Sequence, residues 1–285
     1  MKIWDRSTGE YCFENSPKKL NFLYNRKLGR FFLRFFISHR CAKMNAKYSK
    51  SRFSRRRMKK FIKKYGINLD NFEDKTYKSF NDVFTRKLKT DLLNIVYDED
   101  KFISPADSKL RIYSIKDDLM VNIKGSDYTL DEMVDHKFNL DEFKNGLCLV
   151  FRLSVNDYHR YCFIDSGALI ESYDVKGKLH TVQSISQDYE IYKENSRTIS
   201  LLSTDNFSEI IQIEIGAMAV GRIINHSVSD FYKGDEKGYF ELNGSTIVIL
   251  VKENILKIDE DIMNHNDEGI ETKVRYGEAI AQKLN

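Results

Sequence analysis

Tyr239-Phe240-Glu241-Leu242-Asn243-Gly244-Ser245-Thr246-Ile247-Val248-Ile249-Leu250-Val251 reads as a turn feeding a short strand over Thr246 to Val251. The turn also carries chemistry. A serine hydroxyl directly after a glycine can attack the preceding carbonyl, because Gly244 has no side chain to obstruct the approach and tolerates a strained backbone. The peptide bond would become an ester, and β-elimination would leave Gly244 as a new C-terminus and Ser245 as a pyruvoyl group. Such a ketone forms Schiff bases with amines and accepts electrons when a carboxylate leaves. Taken alone, Gly-Ser-Thr before a strand is an ordinary turn, and its neighbours must decide.

On either side of this stretch the texture is strand-like from about residue 90 onward. Leu147 to Leu153 is a short apolar run suited to a buried strand, and Ile211 to Ile215 alternates with period two. Ala217 to Ile224 reads similarly, while Asp131 to Phe143 contains a short helix. Turn signals recur at Asp165-Ser166-Gly167, Lys176-Gly177-Lys178 and Lys233-Gly234-Asp235. The expected class is α+β: N-terminal basic amphipathic helices followed by an antiparallel-rich β core. Residues 1–90 are read as a basic, mostly helical, membrane-associating region and 91–285 as a catalytic β-rich domain.

The charge is unevenly spread. Between Lys18 and Lys64 there are 18 Lys/Arg and no Asp/Glu, leaving 28 basic residues against all 42 acidic ones elsewhere, within a net charge of +4. A basic arm on an acidic body suits an anionic partner. Leu28, Phe31, Phe32, Phe35 and Phe36 follow helical spacing, with Lys27, Arg30 and Arg34 on the other side. Met58, Phe61, Ile62 and Tyr65 repeat the design among seven cations. Aromatics opposite cations suit a helix lying in a membrane interface, although such stripes also pack on a protein's own core. No motif that reads or stacks bases is present, so nucleic acid is not expected. No apolar run approaches the length of a membrane span. Cys12, Cys41, Cys148 and Cys162 lack CxxC spacing and suit a reducing cytoplasm, and no His–carboxylate cluster has metal spacing, so no metal is expected.

Five stretches, in order, resemble the phosphatidylserine decarboxylases: Ser79 to Leu88 (SFNDVFTRKL), Ser104 to Asp107 (SPAD), Asp157 to Arg160 (DYHR), Glu214 to Gly221 (EIGAMAVG), and Lys233 to Leu250, which contains Gly244-Ser245. The resemblance implies a proenzyme cut between Gly244 and Ser245 into chains of 244 and 41 residues. It also implies a pyruvoyl cofactor derived from Ser245, and an Asp-His-Ser set in which Asp107 serves the base and Ser245 attacks. Phosphatidylserine would be decarboxylated to phosphatidylethanolamine at the cytoplasmic side of a membrane by a peripheral protein. The sequence departs from the family at the base. Where many members carry YHRxH, this chain reads Tyr158-His159-Arg160-Tyr161-Cys162, and Gln183-Ser184 replaces the usual Asn-Pro. His159 serving both steps, His180 reaching in from the next strand, and Cys162 acting as a thiolate all stay open. Lys237 and Glu236 are candidates for the pocket rim. Another pyruvoyl-dependent decarboxylase and a non-processing relative that binds anionic membranes are the alternative functions, and the oligomeric state, a homo-oligomer included, is open.

Overall fold

The computed structural model describes residues 1–14, 18–73, 76–123, 126–181, 191–217, 222–242 and 244–284. Its helices are α1 (Lys18–Asn25), α2 (Lys27–Phe36), α3 (His39–Lys50), α4 (Arg55–Tyr65), α5 (Phe80–Phe84), α6 (Leu130–Met133), α7 (Ile191–Glu194) and α8 (Glu260–Asp267). The strands begin with β1 (Lys2–Asp5), β2 (Glu10–Phe13), β3 (Lys101–Ile103), β4 (Ser108–Ser114), β5 (Met120–Ile123) and β6 (Ser126–Thr129). Next come β7 (Leu147–Leu153), β8 (Arg160–Cys162), β9 (Gly167–Val175), β10 (Arg197–Thr204), β11 (Ser208–Ile215) and β12 (Arg222–Asn225). The chain closes with β13 (Asp230–Phe231), β14 (Glu236–Glu241), β15 (Ser245–Val251), β16 (Leu256–Ile258), β17 (Glu271–Val274) and β18 (Ala279–Lys283). The α+β expectation holds: helices lead, and a mostly antiparallel body follows.

One large sheet runs β13-β9-β10-β11-β15-β7-β4-β17-β1-β2, and only its β1–β17 pair is parallel. Two three-stranded sheets, β12-β14-β8 and β16-β18-β3, lie over one face of it. The composition of β15 follows from its central place. Ile247, Ile249 and Val251 face the core beneath the small sheets, while Val248 and Leu250 face the core on the other side. A strand covered on both faces needs apolar residues at every position, so it reads as a continuous run rather than an alternation. β7 is built the same way, with Leu149, Phe151 and Leu153 on one side and Cys148 and Val150 on the other.

Residues 2–13, within the span read as helical, form β1 and β2 at the sheet edge. Their stability comes from pairing with β17, some 270 residues away in the chain, and local pattern cannot report that. Of the strand expected over 217–224 only Arg222 to Ile224 falls in β12; residues 218–221 lie outside the described residues.

The two aromatic helices have different fates. In α4, Met58 and Phe61 are buried in a third core with Phe80, Val83 and Phe84 of α5 and with Leu242, so this stripe packs inward. In α2 only Gly29 and Leu33 are buried, against α1, where a Cβ on Gly29 would lie 1.9 Å from the Phe22 carbonyl oxygen. Leu28, Phe31, Phe32, Phe35 and Phe36 all remain exposed. Among the described residues no helix is long and apolar enough to cross a membrane.

Candidate active site

The site forms where two chain connections run side by side. β7 and β15 are antiparallel neighbours whose paired ends are Leu153 and Ser245. From that end residues 154–159 lead onward to β8, while Gly244 is reached from β14. β8 and β14 are themselves paired, with Tyr239 opposite Arg160, and the Phe240 N–H donates to the His159 carbonyl at 3.0 Å. Two parallel crossings between the same two sheets therefore bring His159 beside the segment that ends at the Gly244–Ser245 bond. Strand alternation puts Ser245 on the face of Ile247 and Ile249, toward the core shared with Tyr161 and Phe240. Ser245 is fully buried, and its Oγ has no hydrogen-bond partner among the described residues. Leaving a hydroxyl in that condition costs about 1–3 kcal/mol, a cost also carried by the neighbouring Thr246 hydroxyl, and it leaves the Ser245 lone pairs uncommitted.

His159 is held in one tautomer. Its Nδ1 lies 2.9 Å from the Asp157 carbonyl oxygen, which can only accept, so Nδ1 carries the proton and Nε2 is the basic nitrogen. The ring is buried and tilts against Phe84 at 4.3 Å between centroids. The Asp157 carboxylate accepts both of its bonds to Lys109 Nζ, at 2.7 and 2.6 Å, and a third from the Ser154 N–H at 2.6 Å. Those bonds fix the turn whose carbonyl orients the histidine. Asp107 accepts from the Tyr276 N–H at 2.9 Å. Burial pushes its carboxyl above the usual range and the neighbouring Asp157 charge adds to this, against the Tyr276 hydrogen bond, Arg275 and Lys109. Asp107 thus feels the charge of Asp157, the residue whose carbonyl orients His159.

The remaining boxes lock this corner together. Arg160 donates to the Thr85 carbonyl at 3.2 and 2.8 Å and to the Arg86 carbonyl at 3.2 Å, beyond the end of α5, and pairs with Glu236 at 2.6 Å. The Leu88 N–H donates to the Tyr158 hydroxyl at 3.1 Å. The Cys162 N–H donates to the Pro105 carbonyl at 2.9 Å. Burial pushes the Cys162 thiol up to about 12, so it is a thiol at neutral pH and no thiolate base. Lys237 is buried between the sheets, where it pairs with Glu214 at 2.8 Å and lines a small cavity with Ser200 and Asn225. Glu236 instead serves Arg160 and His226.

His180 lies on the other flank. Asn195 donates from Nδ2 to the carbonyls of His180 and Gly216, and Gly216 follows Ile215, the partner of Thr246. The His180 Nδ1 meets the Tyr24 hydroxyl at 3.2 Å, and burial pulls the imidazole down to about 4, so it is neutral at pH 7. Gln183 and Ser184 lie outside the described residues. The sequence singles out neither Lys109 nor, within the longer stretches that contain them, Phe84 and Leu242. A buried cation on a strand, an aromatic in a five-residue helix and a left-handed leucine carry no local signal that distinguishes them.

The model of the family described as phosphatidylserine decarboxylase matches residues 80–282. The chain is 48% identical to phosphatidylserine decarboxylase proenzyme 2 of Clostridium acetobutylicum, across 99% of this chain and 98% of that protein. It is 37% identical to the phosphatidylserine decarboxylase proenzyme of Clostridium perfringens (strain SM101), across 99% of this chain and 100% of that one. With that of Ruminiclostridium cellulolyticum the identity is 36%, over 100% and 98%. Identity that runs the length of the chain, together with a family model that matches residues 80–282, makes this chain a member of the phosphatidylserine decarboxylase family.

Proposed function

We propose that this chain is a phosphatidylserine decarboxylase proenzyme that cuts itself between Gly244 and Ser245. The observation that carries the proposal is the buried Ser245 Oγ without a described partner, at the head of β15 and beside the crossing that bears His159. His159 Nε2 takes the hydroxyl proton, Oγ attacks the Gly244 carbonyl carbon, and the Gly244–Ser245 C–N bond breaks to leave an ester and a free Ser245 amine. Loss of the Ser245 Cα proton then expels the Gly244 carboxylate from Cβ. Tautomerisation and attack by water release ammonia, so Ser245 becomes the pyruvoyl group at the head of the 41-residue chain.

The residues present suit that group, since Ser245 lies in a closed, largely apolar corner that excludes competing water. A pyruvoyl group at Ser245 would supply an electrophilic carbonyl able to take up an amine and the electrons of a departing carboxylate. His159 holds the proton at Nε2 that the product carbon takes up, and Asp107 keeps the surrounding turn in place. Of the candidate bases, His159 is supported by its tautomer and by its carbonyl's bond to the Phe240 N–H, four residues before the proposed cut. His180 is tied to Tyr24 on the opposite flank.

The substrate's two acyl chains keep it in a bilayer, so the enzyme must come to the lipid. The exposed face of α2, with Phe31 73% and Phe35 52% accessible beside Lys27, Arg30 and Arg34, supports peripheral binding to an anionic surface such as the cytoplasmic leaflet. The test is the intact mass of the purified chain under denaturing conditions, with Ser245→Ala alongside. Fragments of 244 and 41 residues, the small one with a pyruvoyl mass and both absent from the variant, are expected. A single full-length species in wild type, with anionic vesicles added, would refute self-cleavage.

A further inference from the structure

Leu242, two residues before Gly244, has a φ of +64°. A γ-branched side chain rarely adopts the left-handed region, because its Cβ crowds the following carbonyl. Such a residue persists only where its surroundings over-determine it. Here they do. The leucine side chain is fully buried in the third core, between Met58 and Phe61 of α4 and Phe80, Val83 and Phe84 of α5. The preceding Glu241 is buried too, and its carboxylate receives Lys50 Nζ, from the last residue of α3, at 2.8 Å. The same helices hold the other crossing of the site. Phe84 packs on the His159 ring, Val155 packs against the third core, and the carbonyls of Thr85 and Arg86 receive Arg160.

We infer that α3, α4 and α5 are a positioning part of the self-cleavage apparatus, with Leu242 and Lys50 as the residues that transmit it. The inference rests on the proposed cut at Gly244–Ser245 and adds to it. The β sheets supply the nucleophile and the base on two separate crossings. The helical layer grips both, setting the backbone direction at Leu242 and the ring plane at His159. A reacting carbonyl must lie within about 3–3.5 Å of the attacking oxygen in an aligned geometry, and a misplacement of about 1 Å costs on the order of 100-fold in rate. A left-handed residue two positions upstream steers the chain more sharply than an extended one, so release of Leu242 frees the Gly244 peptide to turn out of line with its attacking hydroxyl and with the imidazole. Lys50 holds the strand end from which that turn departs.

The experiment follows chain maturation in cell-free translation: a short synthesis pulse, a chase, and the fraction converted to the 41-residue fragment over time. Wild type and Ser245→Ala are run alongside Leu242→Ala, Leu242→Met, Lys50→Glu, and Lys50→Glu with Glu241→Lys. Thermal melting of each substitution on the Ser245→Ala background reports folding independently of cleavage. We expect Leu242→Ala to slow maturation at least 10-fold, with Leu242→Met recovering most of the rate because it refills the same cavity. Lys50→Glu, at a side chain nearly half exposed, should slow maturation several-fold without lowering the melting temperature, and the swapped pair should restore it. Maturation of Leu242→Ala within twofold of wild type, or failure of the swapped pair to rescue Lys50→Glu, would overturn the inference while leaving self-cleavage standing. If wild type itself stays uncut, the proposed function falls instead.

Discussion

Replacing Phe31 and Phe35 of α2 together by serine should release the protein from membranes without weakening its fold. The two residues are 73% and 52% exposed and touch no buried cluster, so the folded state gains little from them. Taking a phenylalanine as about 200 Å², these exposures present about 250 Å² of mostly ring surface to solvent. At roughly 25 cal/mol per Å², complete transfer into hydrocarbon would contribute about 6 kcal/mol. An interfacial helix immerses its apolar face only as deep as the headgroup and acyl boundary, so about half of that, some 3 kcal/mol, is the working figure. That corresponds to a loss of about 100-fold in partitioning. Lys27, Arg30 and Arg34 stay in the variant, so the residual binding should be electrostatic and should fade as salt is raised. Co-sedimentation with phosphatidylserine-containing vesicles at fixed ionic strength reads the change, and a thermal melt checks the fold. Partitioning within twofold of wild type would refute the reasoning, since the exposed rings would then not be what meets the lipid.

Other outcomes follow from the charges and thiols around the site. Asp107→Asn should slow self-cleavage yet leave the protein at least as stable at neutral pH. The folded-state carboxyl is raised, so its contribution is present at low pH and lost as pH rises; melts on a Ser245→Ala background at two pH values test this. His180 should make stability fall as pH drops. Its folded value of about 4 lies below the unfolded value near 6.5, so about 3 kcal/mol is present above pH 6.5 and lost through that window; His180→Gln should flatten the slope in urea titrations. Cys162 should resist alkylation at pH 8 in the native protein while exposed Cys12 reacts, as peptide mass mapping would show, and Cys162→Ala should still mature.

Much of the fold was legible because its information is local. Leu147 to Leu153 is a strand to the residue, and the run through Ile247 to Val251 is continuous because both faces of β15 are covered. β1 and β2 were invisible for the opposite reason: four-residue segments stabilised by a remote partner carry almost no pattern of their own. The two aromatic stripes illustrate the limit well. Both have the spacing of amphipathic helices, yet α4 turns its stripe into the third core and α2 turns its stripe to solvent. Periodicity reports that a face is apolar and says nothing of what covers it.

By itself the sequence pointed to the proposed nucleophile and bond, because Gly244 and Ser245 are covalent neighbours and need no folding to adjoin. It also determined the basic arm, the family, and the short list of bases. Only the tertiary structure bears on the choice among them. Which imidazole nitrogen is basic depends on the Asp157 carbonyl, and that turn depends on Lys109 from another strand. Cys162 is removed from contention by burial, which no spacing encodes. The left-handed Leu242 is buried against helices nearly 160 to nearly 200 residues earlier. Reactivity here depends on distances of a few ångströms between distant parts of one chain, and only packing sets such distances.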